Sequence, residues 1–244
     1  GYGISIAFLT CAIYLTYQGF KSERIKSIYL GVLCAMLSAY ANFPALVFWA
    51  GIIICSLLYI VIYSSDKKKN LAYLFASCIA FISLIAQPII KMSQDNQFKY
   101  WSSNGFFNDT ILSSTEAWRY GAKLLYPFNY SILAYFVLIL FAIMGSLFIY
   151  CFLAADSKKD FIKKPFSVLT LILVSTGFVN LSQCFLLDTP YLNGRTALLY
   201  YPLFCAASVS FFHFVSQEFK LKSIFFKVVS VVLILISIIH LVDR

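Results

Sequence analysis

The chain has 244 residues, 61% hydrophobic and only 12% charged, with a mean hydropathy of +0.83. Ordinary soluble domains are roughly 45 to 50% apolar, so this composition excludes one and indicates an integral membrane protein. The net charge of +9 would suggest nucleic acid in a soluble chain, but 13 of the 19 basic residues sit in four clusters between apolar runs. Cations placed there anchor a membrane protein against anionic headgroups. The expected partner is therefore the lipid bilayer, with no nucleic acid.

The clusters are Lys21, Arg24 and Lys26; Lys67 to Lys69; Lys158, Lys159, Lys163 and Lys164; and Lys220, Lys222 and Lys227. They occupy every second gap between apolar runs, whereas the gaps near Asn42 and Asp188 carry almost no lysine. Positive charge in short loops stays on the cytoplasmic side, so the alternation threads the chain with both ends outside. The expected fold is all-α, a polytopic transmembrane helical bundle of about eight spans at roughly 20 apolar residues per crossing. It is N-out and C-out and forms a single transmembrane domain over residues 1–244.

The first span is expected from Gly3 to Phe20 and the second from Ser27 to Ala41. Asn42-Phe43-Pro44 makes a tight outer turn, with Pro44 suited to the first turn of the third span, which runs to Tyr63. The fourth, Leu71 to Ile90, carries Pro88 near its outer end, where a lost hydrogen bond matters least. Residues 91–126 are too polar to cross and form the one sizeable external segment. Within it, Ser113 and Glu116 have capping-box spacing for a short helix from Ser114 to Tyr120, and Phe98-Lys99-Tyr100-Trp101 suits a headgroup boundary. Spans five to eight are expected at Asn129 to Ala154, Pro165 to Leu186, Thr196 to Ser216 and Ile224 to Leu241.

The inner loops are short and offer only lysines, so a functional site is expected on the outer face. Its most specific-looking stretch runs from Asp188 to Pro202. Arg195 falls at the mouth of span seven, near a helix N-terminus where free amides favour an anion, and a guanidinium there suits a phosphate or diphosphate. An arginine snorkelling to ordinary phospholipid has the same signature. Asp188 reads as a solvated loop acid or as the carboxylate that orients Arg195. Tyr191, Tyr200 and Tyr201 read as aromatic-belt residues, with a tyrosine on the inner side of the mouth able to contact a sugar. Asn180 and Gln183 face the outer half of span six, where interhelical hydrogen bonding is the common role and lining a cavity the rarer one.

The seven cysteines are scattered, mostly in apolar runs, and read as small buried hydrophobes; only Cys184 falls near the outer surface. His213 and His240 fall near opposite membrane surfaces, and no metal or cofactor motif is present in the sequence. Asn108-Asp109-Thr110 and Asn129-Tyr130-Ser131 match the short glycosylation pattern. Aspartate and glutamate occur only in loops and at span ends, which argues against a proton-driven carrier. The chain opens on Gly1 and enters an apolar run at once, so it is expected to be a piece of a longer protein; a cytoplasmic start for the whole would place an odd number of spans upstream.

Two segments carry a resemblance. Gly1-Tyr2-Gly3-Ile4-Ser5-Ile6-Ala7-Phe8 resembles the Gly-Tyr-Gly-Leu-Ser-Leu-Ala stretch of bacterial polytopic glycosyltransferases of the GT-C superfamily. Tyr191-Leu192-Asn193-Gly194-Arg195-Thr196, continuing to Pro202, is similar to a late outer-loop segment of the same proteins, and Ala41-Asn42-Phe43 fits between the two in order and spacing. The resemblance implies transfer of a sugar from a polyprenyl-phosphate donor at the extracytoplasmic face of the bacterial cytoplasmic membrane. It places the acidic catalytic base upstream of residue 1, makes Arg195 a donor-phosphate contact with Tyr191 and Asp188 as weaker substrate-binding candidates, and leaves this segment inactive alone. The alternatives are a membrane carrier or flippase, and a structural membrane subunit.

Overall fold

The computed structural model describes residues 2–95, 105–113, 115, 130–187, 191–192 and 196–218, and all regular structure among them is helical. Among the described residues eight α-helices follow in chain order: α1 Tyr2–Ser22, α2 Ile25–Ala41, α3 Leu46–Tyr63, α4 Lys67–Gln94, α5 Tyr130–Ala154, α6 Lys158–Ile162, α7 Pro165–Leu187 and α8 Tyr200–Glu218. A backbone in lipid must satisfy its own hydrogen bonds, which apolar runs of this length do as helices. Among the described residues six helical stretches are long and apolar enough to cross a membrane, and α2, at 17 residues, is a shorter apolar helix. Helices thus stand at the positions of the first seven expected spans, and six of those stretches meet the length and hydropathy of a crossing. The eighth, Ile224 to Leu241, lies outside the described residues, as do His240 and the Phe98 to Trp101 cluster.

The helix ends follow local chemistry. The turn after α2 is a single 3-10 turn, Phe43–Ala45, with Pro44 in its first positions, where the missing N–H is no loss. α1 ends at Glu23, a non-glycine residue with φ of 51°, and Arg24 N–H donates back to the Gly19 carbonyl at 3.1 Å. That closes the helix with a left-handed cap usually left to glycine. α4 is longer than expected at both ends: it begins within the lysine run and continues past Pro88 to Gln94. The bounds Leu71 and Ile90 were drawn where hydropathy changes, whereas a helix continues through the headgroup layer as long as its residues tolerate it.

α1 and α2 form a hairpin closed along its length. Ser5 Oγ donates to the Ser38 carbonyl at 3.0 Å, and Ser38 Oγ donates to the Ser5 carbonyl at 2.8 Å. Midway, Gly31 meets Thr16, where an added Cβ would lie 2.7 Å from the hydroxyl oxygen. Near the other end Gly19 faces Ile28, so small residues permit the close approach membrane helices need.

α3 is the central helix, half buried over its apolar window, whereas α5 is only 11% buried. Phe48, Ile52, Cys55, Tyr59 and Ile60 of α3 are all but inaccessible, while Ile79 and Leu84 of α4 and Ile139 and Ile143 of α5 are exposed, as lipid-facing side chains are. α3 crosses α7 at Gly51, where an added Cβ would lie 2.5 Å from Thr176 Oγ1 and 3.0 Å from its backbone. One turn on, Cys55 Sγ donates to Ser175 Oγ at 3.8 Å.

The first three lysine-rich breaks meet at one end, beside the close of α8. Lys163 pairs with Glu23 at 2.6 Å and with Asp160 at 3.1 Å, and Lys164 pairs with Glu218. Tyr63 donates to the Lys159 carbonyl, while Tyr29 and Asn70 join α2 to the start of α4 at 2.9 Å. The expectation that these loops offer only lysines is therefore corrected: Glu23, Asp160 and Glu218 tie them together. A short helix, α6, was also missed; Ser157 caps it by accepting from Asp160 N–H.

Candidate functional site

The opposite, lysine-poor end holds the buried polar chemistry. Gly105, at a φ of +99° that other residues rarely adopt, starts a turn whose first link is Asp109 N–H to the Gly105 carbonyl at 2.9 Å. From it rises a π-helical segment, Phe107–Leu112, a geometry frequent at functional sites. Ser113 closes it by donating to the Asp109 carbonyl. The helix expected at Ser114 to Tyr120 lies almost wholly outside the described residues.

The segment is clamped on three sides. Phe107 stacks on Tyr135 of α5 with ring centres 5.0 Å apart, and Phe106 meets Tyr191 edge-on at 5.9 Å. On the third side α7 supplies Asn180, completely buried, and Gln183 one turn further on. Gln183 Nε2 donates to Asn180 Oδ1 at 3.0 Å, Asn180 Nδ2 to Thr110 Oγ1 at 3.3 Å, and Thr110 Oγ1 to the Leu192 carbonyl at 2.8 Å. This chain of donors joins the two outer segments through one helix, so the interhelical role expected of Asn180 and Gln183 is a link between α7 and the external residues.

Of the three substrate-binding candidates, Tyr191 is described, while Asp188 and Arg195 lie outside the described residues. Tyr191 is 8% exposed, which corrects its reading as a belt residue: its ring is packed inside the cluster. Its phenol is held above the ordinary value, first by the Cys184 thiol beside it, then by burial and by the charge of Asp109. It therefore stays a proton donor through neutral pH. Tyr200 is corrected likewise: its ring lies 4.8 Å from Phe48, and its hydroxyl is buried beside the Asn180 amide.

Sequence reasoning passed over Asp109 and Thr110 as members of a site. Asp109 reads there as one of several outer-face ionisable groups, and both stand within Asn108-Asp109-Thr110, where Asn108 is exposed but the Thr110 hydroxyl is engaged on both sides. The available signal was a lone acid and threonine in an aromatic context, which does not say what lies across from them. Among the described residues no three metal-ligating side chains come together. What the cluster offers is one carboxylate, phenols, amides and aromatic faces, which suits a hydroxyl-bearing ligand. Comparisons with family models, with curated proteins and with solved structures find no match to this chain.

Proposed function

We propose that the chain is part of an integral membrane glycosyltransferase that moves a sugar from a polyprenyl-phosphate donor to an acceptor at the extracytoplasmic face of the bacterial cytoplasmic membrane. What supports it is the resemblance of the Gly1 to Phe8 and Tyr191 to Pro202 stretches to the GT-C superfamily, together with one structural observation. The segments 105–113 and 191–192, both on the lysine-poor side of the weave, converge on the Thr110 to Leu192 hydrogen bond and enclose a buried polar cluster. In this scheme the lysine-rich end faces the cytoplasm and the cluster faces the donor leaflet.

A carboxylate contributed upstream of residue 1 takes the proton of the acceptor hydroxyl, which attacks the anomeric carbon. Arg195 stabilises the departing lipid phosphate electrostatically, and Tyr191 and Asp188 are the weaker candidates for substrate contact. In sequence Arg195 follows Leu192 by three positions and directly precedes Thr196. A proton-coupled carrier is disfavoured because Asp109, the one buried carboxylate among the described residues, is in the external segment rather than at membrane depth.

The test is a labelled polyprenyl-phosphate sugar offered to the full-length protein in membranes. Transfer is expected, and Arg195→Ala should lower turnover by about a hundredfold or more with insertion unchanged. Equal turnover for Arg195→Ala and the parent would remove the phosphate role. Movement of lipid across the bilayer without any transfer would favour the flippase alternative.

A further inference from the structure

Tyr191 and Leu192 are buried although they lie in the connection between α7 and α8, so other parts of the chain must hold them. Contacts from two elements do so. From α7, the Cys184 side chain hydrogen-bonds the Tyr191 phenol, and Asn180 reaches the pair through Thr110. From the external segment, Phe106 meets the Tyr191 ring edge-on at 5.9 Å, and Thr110 donates to the Leu192 carbonyl at 2.8 Å. Thr110 is the point where the two elements join. A hydroxyl carries one donor and two lone pairs, so it can accept from Asn180 and donate to Leu192 at the same time. The Asn180 amide occupies a lone pair, which leaves the Thr110 hydrogen directed at Leu192, and Gln183 holds Asn180 in turn at 3.0 Å. Hydrogen bonds linked in this way away from water reinforce one another.

We infer that Thr110 is a positioning residue for Tyr191: it fixes the backbone one residue after the ring, and so the direction of the phenol, without itself touching substrate. Asn180 acts in the same sense by orienting the Thr110 hydroxyl. The inference rests on the transferase reading only for what Tyr191 contacts; the restraint on Tyr191 follows from the hydrogen bonds alone.

Cys184, partly buried beside the Tyr191 phenol, is a built-in reporter. In the full-length protein in lipid nanodiscs, with Cys184 as its single cysteine, the rate of alkylation by N-ethylmaleimide measures how often that phenol moves away. Thr110→Val should raise the rate about fivefold to thirtyfold, and Thr110→Ser should keep the parent's rate. Gly51→Ala loosens the α3–α7 crossing instead and controls for general destabilisation, so it should leave the rate unchanged. A parent rate in Thr110→Val, or equal acceleration in Gly51→Ala, overturns the inference. If Thr110→Val fails to fold, Asn180→Ala decides by the same criteria. Where transfer is measurable, Thr110→Val should raise KM for the polyprenyl-phosphate sugar about threefold to tenfold, with no further rise in a Tyr191→Ala background, because the two act as a unit. An equal further rise in that background overturns the role through Tyr191. Alkylation rates that follow this pattern in a protein that transfers nothing would sink the transferase reading and leave the restraint. Transfer by the parent, with alkylation unaltered by Thr110→Val, would do the reverse.

Discussion

Thr110 donates its hydroxyl hydrogen to the carbonyl of Leu192 at 2.8 Å, bridging 82 positions of the chain. The same oxygen accepts from Asn180. Thr110→Val keeps the shape but leaves a buried carbonyl and a buried amide unpaired, a loss of roughly 1 to 3 kcal/mol. Thermal unfolding in nanodiscs should show that loss for Thr110→Val and little of it for Thr110→Ser. Equal melting of the two variants would mean that the bond is incidental.

Gly51 sets how closely α3 approaches α7. A methyl group there would meet the Thr176 hydroxyl at 2.5 Å and its backbone at 3.0 Å, so Gly51→Ala should destabilise by about 1 to 3 kcal/mol through overpacking. Adding Thr176→Ala removes the hydroxyl but not the backbone contact. The double variant should therefore recover part of the lost melting temperature and not all of it.

At the lysine-rich end the ion pairs give a pH dependence with a definite sign. Asp160 is held below the ordinary carboxylate value of 3.8, first by the Ser157 hydroxyl and then by Lys163. Its contribution is complete above 3.8 and fades as pH falls through the depressed value. Lys163 is held above 10.5 by Glu23 and Asp160, so its contribution is complete below 10.5 and fades as pH rises beyond it. Between those limits, melting of the parent and of Asp160→Asn should run parallel. Asp160 is solvent-exposed and Lys163 partly so, and salt should therefore shrink the difference between the two proteins.

The positions of the long helices were legible because hydropathy is local: α3 ends at Tyr63 and begins just after Asn42-Phe43-Pro44, as the break residues require. The beginning of α4 was not, since lysines in a first helical turn oppose the macrodipole and read as a loop. The polarity of Asn180 inside an apolar run could be seen, but its partner 70 positions earlier could not. A belt tyrosine and a buried one look alike in sequence, and only the ring of Phe106 against Tyr191 separates them. The carboxylates facing Lys163 and Lys164 were visible as residues, yet the loops had to be brought together before they became partners.

The central claim is that the lysine-poor end, with its buried cluster, faces away from the cytoplasm. Single cysteines in an otherwise cysteine-free full-length protein test it: Asn108→Cys, an exposed site at that end, and Lys159→Cys, an exposed site at the other. With a membrane-impermeant maleimide on intact bacterial cells, Asn108→Cys should be labelled at once and Lys159→Cys only after permeabilisation. Labelling of Lys159→Cys from outside, with Asn108→Cys protected, would invert the weave and contradict the account.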